Sequence, residues 1–367
     1  MLSRELLDEG RRVMSVCNAC RYCEAYCPVF PAMERRRAWS TADLAYLANL
    51  CHNCGECLYA CQYAPPHEFG INVPRTLAHI RLASYLASCW PRPLAALFTR
   101  PFAAAAATAA LSATLLALLA SRFGTAPRQP ADFYAVLPHG VLVLLFSTAA
   151  LFAAAAMAAA WVRVQRGIAA DAAPAGSDPL TPRLPIRALV GGAGDALTLR
   201  YLHGSGADCT DDEETRRPWR RWFHHCTFYG FALCVASTTV AAIYHELFGW
   251  MAPYSYTSLP VVLGTIGGVG LLIGPAGLLA LGARRDEALG GGAPMRRLDR
   301  ALIAALLATS ATGLLLLALR ERPSMPVWLV VHLASVLAFF LTLPYSKFVH
   351  GLHRLAALVR FAAESDA

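Results

Sequence analysis

Cysteines supply the chain's clearest chemistry. Cys17, Cys20, Cys23 and Cys27 form one run, and Cys51, Cys54, Cys57 and Cys61 a second; each reads C-x2-C-x2-C-x3-C. Three thiolates two residues apart can wrap one face of an iron–sulfur cubane, while the fourth is carried off to the neighbouring cluster. This rule predicts two [4Fe-4S] clusters with crossed ligands: Cys17, Cys20, Cys23 and Cys61 on one, and Cys51, Cys54, Cys57 and Cys27 on the other. The first run ends in Cys27-Pro28, as the pattern expects. The second continues with Gln62 and reaches proline only at Pro65 and Pro66. Zinc sites also use C-x-x-C pairs, but two pairs per ion leave the extra cysteine of each run without a role. A disulfide framework belongs to small secreted domains, and no stretch here resembles a signal peptide.

The elements behind these cysteines are apolar. Of 367 residues, 56% are hydrophobic and only 15% charged, and the mean hydropathy is +0.43. That composition indicates a membrane protein carrying a polar N-terminal domain. Stretches near the roughly 20 residues needed to cross a bilayer lie at about 102–121, 135–161, 226–248, 259–282, 301–319 and 327–349. The first is mostly alanine and leucine. A helix apolar on every face for that length belongs in lipid rather than in a soluble core.

Arginine and lysine accumulate in cytoplasmic loops. Arg92 and Arg100 precede the first span, Arg163 and Arg166 follow the second, and Arg216, Arg217, Arg220 and Arg221 precede the third. Arg284, Arg285, Arg296, Arg297 and Arg300 separate the fourth and fifth, and Lys347, Arg354 and Arg360 close the sixth. The opposite loops hold only Arg122, Arg128, Arg320 and Arg322. Both termini are therefore expected in the cytoplasm of a bacterial inner membrane, with the clusters in the reducing compartment. The net charge of +8 reflects this topology, and no nucleic-acid-binding motif accompanies it.

Ionisable side chains inside spans are rare and functional by default. His332 and His350 bracket the sixth span about five turns apart, on one face of an ideal helix. The third span begins with His224 and His225 and ends near His245; helix geometry aligns His224, rather than His225, with His245. Spans three and six run antiparallel. His224 or His225 is thus expected to meet His350 on the inner side, and His245 to meet His332 on the outer side, as ligands of one or two b-type hemes. Membrane-edge histidines also commonly face lipid headgroups, and Pro344 can kink the sixth helix and spoil its register.

Other residues carry weaker signals. His139 opens the second span, as a helix-end residue, a substitute ligand, or a proton or quinone contact. His52 and His67 flank the second cysteine run and are placed to tune a cluster by hydrogen bonding. Cys89, Cys209, Cys226 and Cys234 lack cluster spacing and read as small hydrophobes. Gly264, Gly267, Gly268, Gly270, Gly274 and Gly277 follow no strand, so they fit close helix packing rather than nucleotide binding. Between the second and third spans, Ala169 to Pro185 has linker composition. The following Gly191–Asp195 and Tyr201–Cys209 segments, with Asp211, Asp212, Glu213 and Glu214, read as a docking segment or a solvated acidic turn.

The fold expected is therefore mainly α. A bacterial-ferredoxin-like two-cluster domain occupies 1–90, a first transmembrane helix pair 91–162, a cytoplasmic linker or docking segment 163–222, and a four-helix transmembrane b-type cytochrome region 223–367.

The paired cysteine runs, Arg221-Trp222-Phe223-His224-His225-Cys226, Tyr244-His245, Ala252-Pro253-Tyr254 and Pro344-Tyr345-Ser346-Lys347-Phe348-Val349-His350 together resemble the tricarballylate (citrate) utilization protein B family over nearly the whole chain. The membrane half also resembles the gamma subunit of respiratory nitrate reductase. The resemblance implies electron transfer from a soluble FAD-dependent tricarballylate dehydrogenase, through the clusters and b heme, to the quinone pool. It carries the heme-ligand role onto His224 or His225, His245, His332 and His350. No acid–base constellation and no FAD or NAD fingerprint stands out, so the carbon chemistry is assigned to another chain. Two other readings use the same features. Quinol electrons could flow outward to a soluble reductase, as in heterodisulfide-reductase-like assemblies, or the clusters could sense redox state on a membrane anchor or transporter. The span centres lack substrate-binding charges and the spans show no obvious inverted repeat, which counts against a transporter.

Overall fold

The computed structural model describes residues 3–127, 129–172, 185–203 and 218–365. Most of the expected 169–185 linker, together with Cys209, the acidic run 211–214, Arg128, Arg216 and Arg217, lies outside them. Among the described residues the fold is helical, with no strand.

The N-terminal domain is built from α1 (Arg4–Cys20), α2 (Val29–Glu34), α3 (Thr41–Leu50), α4 (Glu56–Tyr59) and α5 (Val73–Ser88). Local sequence sets the starts: the Ser3 hydroxyl accepts from the Leu6 N–H, Ser40 and Asp43 form a reciprocal capping box, and Asn72 caps α5 ahead of Pro74. Val13, Met14, Phe30, Met33, Leu44, Leu47, Leu50, Leu77 and Ile80 fill the core between these helices.

Among the described residues, six helices are long and apolar enough to cross a bilayer. They are α6 (Pro101–Phe123) and, after a short α7 (Phe133–Val136), α8 (His139–Ala172), α10 (Trp219–Phe248), α11 (Leu259–Arg284), α12 (Gly292–Leu319) and α13 (Met325–Thr342). The short α9 (Ile186–Leu197) precedes α10, and α14 (Val349–Ser365) closes the chain. The glycines do pack helices: a Cβ on Gly267 would lie 2.8 Å from the Gly230 carbonyl, and one on Gly274 2.6 Å from the Phe223 carbonyl, so α10 and α11 touch backbone to backbone.

The sixth span is corrected by the structure. Expected as one helix over 327–349, it ends at Thr342, passes through a 3-10 turn at Leu343–Tyr345 and restarts as α14. Pro344 has no N–H to continue the ladder and its ring clashes with the preceding turn. His332 and His350 therefore do not share a helix.

α14 turns back onto the N-terminal domain, burying Ala357 and Leu358 in its core. Ion pairs fix it there: Arg36 to Asp43 at 2.6 Å and to Glu364 at 2.5 Å, and Arg360 to Asp43 at 3.1 Å. First and last helical segments thus form one body at the polar end of the bundle, called here the near end.

Candidate redox centre

The two cysteine runs are wrapped by local backbone turns. α1 presents Cys17 and Cys20 at its last turn and stops at Arg21, whose φ of 56° is left-handed. Asn53 at φ 58° and Gly55 at φ 94° curl the second run around its own thiols, and a side chain at Gly55 would strike Leu289.

The eight thiols sort into two basins, and each basin mixes the runs. Cys27 joins Cys51, Cys54 and Cys57 around a small pocket of about 10 Å³, named the closed basin for its small volume. Cys61 joins Cys17, Cys20 and Cys23 around a larger cavity of about 240 Å³, the open basin, with Cys57 on its wall. This is the crossed arrangement expected from the spacing. Electrostatics report the same neighbours. Burial first, then the charges of Cys61, Cys23 and Cys20, pushes the Cys17 thiol up to about 12. Burial, then Cys54 and Cys51, raises Cys27 well above the usual thiol value. Four thiolates share such a basin only around a strongly cationic centre. A lone zinc ion at about 2.3 Å from its sulfurs occupies little of a cavity of about 240 Å³, whereas the Cys27 basin encloses only about 10 Å³ and its donors alone speak for a cluster. The donor set and the volume fit an iron–sulfur cluster in the open basin. In the closed basin the four-thiol donor set fits one. N–H groups already point at sulfur: Asn53 N–H to Cys51 Sγ at 3.3 Å and Gln62 Nε2 to Cys20 Sγ at 3.8 Å.

Arginines from the start of α10, the end of α11 and α14 hold the closed basin. Arg220, at the start of α10, donates to the carbonyls of Asn53 at 3.0 Å and His52 at 3.2 Å. Arg354 of α14 donates to the carbonyls of Leu50 at 3.3 Å and Cys51 at 3.4 Å and bonds His52 Nε2, and Arg285 donates to the Asn53 carbonyl. Tyr59 reaches Asp286 at 3.0 Å, joining the same loop to the α11–α12 connection.

One helical turn beyond Arg220 lies His224, and one turn before Arg354 lies His350. Their ring centroids lie 6.1 Å apart, with the planes inclined at 56°. His350 Nδ1–H donates to the Lys347 carbonyl at 2.6 Å, which fixes its tautomer and leaves Nε2 free. Burial first, then the Lys347 charge, lowers the His350 pKa to about 4, so the ring is neutral at physiological pH, the form that binds a metal. Two metal–imidazole bonds of roughly 2 Å each, with the ring radii added, span about this centroid distance. Here α10 packs closely on α11 and reaches α13 through the Phe231 ring, 6.0 Å from Phe339. The two histidines supply a donor pair that fits a heme iron, and Phe231, Phe339 and Phe348 line the seam beside them.

The other expected ligands are not gathered there. His225 stacks on Tyr229 at 5.7 Å, on a different face of α10 from His224. His245 stacks on His139, centroids 3.6 Å apart, whereas His332 bonds the Thr312 hydroxyl of α12 at 3.2 Å. His67 accepts the Phe69 N–H and supports a loop turn. His353, not singled out from sequence, has both ring nitrogens occupied: Nδ1 by the Val349 carbonyl and Nε2 by Ser88. The arginine clamp also escaped the sequence, because its partners are backbone carbonyls, which leave no residue signature.

A helical domain with two four-cysteine basins, joined to six helices long and apolar enough to cross a bilayer, is consistent with a ferredoxin-type domain on a multi-pass membrane protein. The chain belongs to the citrate utilization protein B family: the family described as citrate utilization protein B matches residues 91–367, and its Fer4-like domain matches residues 10–87. The citrate utilization protein B of Escherichia coli is 46% identical over 362 residues, covering 97% of this chain and 92% of that protein. No solved structure matches.

Proposed function

We propose that this chain is a membrane electron-transfer protein of the bacterial inner membrane, its near end and both termini cytoplasmic. It reoxidises a soluble FAD-dependent dehydrogenase of the tricarballylate or citrate type and passes the electrons to the quinone pool. The cysteine sets Cys17/Cys20/Cys23/Cys61 and Cys51/Cys54/Cys57/Cys27 hold one [4Fe-4S] cluster each, and His224 with His350 holds a b-type heme. Bound there, these groups supply one-electron carriers at graded potentials.

The residues of the chain set their order. The open basin, beside the exposed Tyr22, receives the flavoprotein. Cys57 borders both basins and keeps the cluster sites adjacent. The observation that carries the reading is the clamp: both helices that bear the facing histidines send an arginine, Arg220 or Arg354, to the backbone of the closed basin. This fixes the spacing between cluster site and heme site. The arginine-rich near end, set against the arginine-poor far loops, supports the orientation.

The test is anaerobic mixing of the reduced dehydrogenase with purified protein and a quinone analogue, following cluster, heme and quinone absorbance in turn. About eight cluster irons per chain are expected from the two ferredoxin-type runs, with heme reduction following cluster reduction. Zinc in place of iron and acid-labile sulfide would sink the reading.

A further inference from the structure

The far end of the bundle holds a second convergence of donor side chains. Pro138 opens α8 and sets His139 at its first turn, while the last turn of α10 presents His245 and Glu246. One ligand atom from each of the three lies within 4.8 Å of the others. His139 Nε2 is 3.7 Å from Glu246 Oε1. The imidazoles stack at 3.6 Å and 23°, and the Tyr134 ring meets both edge-on at 5.1 and 5.5 Å. His245 Nδ1 is buried without a hydrogen-bond partner. A buried ring nitrogen left unpaired needs an explanation, and an ion is one of the few available.

We propose that His139, His245 and Glu246 form a site for a divalent transition-metal ion of the zinc type, tying α8 to α10 at the far end. Two imidazoles and a carboxylate are a donor set such ions favour, with a fourth position open to water. The stacked rings must turn for both to bind one ion, and the ligand atoms already lie within 4.8 Å of one another. α10 packs closely on α11, and at its outer turn His245 and Glu246 meet His139 of α8. Tyr134 positions the rings by packing against both. The site is independent of the electron-transfer reading, because it makes His245 a metal ligand rather than a heme ligand.

The test uses the full chain in detergent, stripped with a chelator, re-equilibrated with zinc and desalted. Expected are one zinc per chain beyond the iron and an X-ray absorption spectrum showing nitrogen and oxygen neighbours with no sulfur. His139→Ala, His245→Ala and Glu246→Gln should each weaken zinc binding by roughly tenfold or more. Retained iron and acid-labile sulfide report that each variant has folded. Zinc absent from the unaltered chain overturns the proposal, as does zinc uptake unchanged in the His139→Ala/His245→Ala double variant. Zinc with sulfur neighbours also overturns it and separately speaks against iron in the cysteine basins. Loss of a heme band in His245→Ala with zinc uptake intact overturns it in favour of a heme.

Discussion

The two ends of α10 each carry a histidine facing a histidine from another helix, yet they are built differently. At the near end the His224 and His350 rings stand 6.1 Å apart, one tautomer is fixed by a backbone carbonyl, and arginines on both helices grip the adjacent loop. At the far end the His245 and His139 rings stack at 3.6 Å with a carboxylate beside them, and the guanidinium that holds the adjacent loop, Arg320 on the Tyr254 carbonyl at 2.7 Å, comes from the end of α12 rather than from a histidine-bearing helix. Separation decides what can bind. The first pair leaves room for an iron between the rings; the second must rotate before it can bind anything. A histidine near a membrane surface is thus not defined by depth or span position, but by the ring it faces and by what holds its other nitrogen.

The largest effect that can break this contrast is in heme content. His350→Ala is expected to abolish the low-spin heme band of the purified protein, while His332→Ala leaves it; equal loss in both would erase the distinction between clamped and unclamped histidines. Next come the cysteines that swap basins. Cys27→Ser should remove the cluster of the closed basin and leave that of Cys17, Cys20 and Cys23, with Cys61→Ser doing the reverse. Iron, sulfide and electron paramagnetic resonance would read this, and loss of the cluster nearest in sequence would show uncrossed ligation.

A smaller change is expected from Arg354→Gln. It leaves buried carbonyls short of donors at a cost of about 1–3 kcal/mol. Thermal unfolding followed by cluster absorbance should shift downward, and electron passage from cluster to heme should slow with heme content unchanged. Unaltered transfer kinetics would make the clamp purely structural. The smallest is a pH effect. Desolvation pushes the Asp43 carboxyl up, but the hydrogen bonds and charges of Arg36 and Arg360 outweigh it, so its pKa lies below the usual carboxylate value. Because the folded value is the lower one, this stabilisation is present above about pH 4, the ordinary aspartate pKa, and is lost as pH falls through the folded value. Amide protection in α14, taken relative to the intrinsic exchange rate at each pH, should fall over that acid range and stay flat near neutrality.

The cysteine spacing contained the crossed basins because ligand count and loop length alone constrain them. Likewise the spans were legible from length and hydropathy, and the α11 glycines from their small-residue pattern. Histidine pairing was only half legible. Register along one ideal helix put His332 and His350 on a shared face and paired His332 with His245, but Pro344 breaks that helix, and neighbouring helices, which the period of a single segment does not encode, place His245 against His139 and His332 against Thr312. α14 was hidden for the same reason: its apolar face reads as the tail of a membrane span until the proline turn redirects it onto the cysteine domain.

That redirection sets an order on biosynthesis. Arg36 near the start of the chain closes on Glu364, 328 residues later, and the carbonyl of Cys51 waits for Arg354, 303 residues later. Contacts of such sequence separation form late. The cysteine domain is synthesised before α14, with all six apolar helices between them in sequence, and α14 supplies its last partners. Until α14 arrives, Arg36 and the carbonyls of Leu50 and Cys51 lack the groups that hold them in the folded protein, so the packing of the domain depends on the helices that follow it.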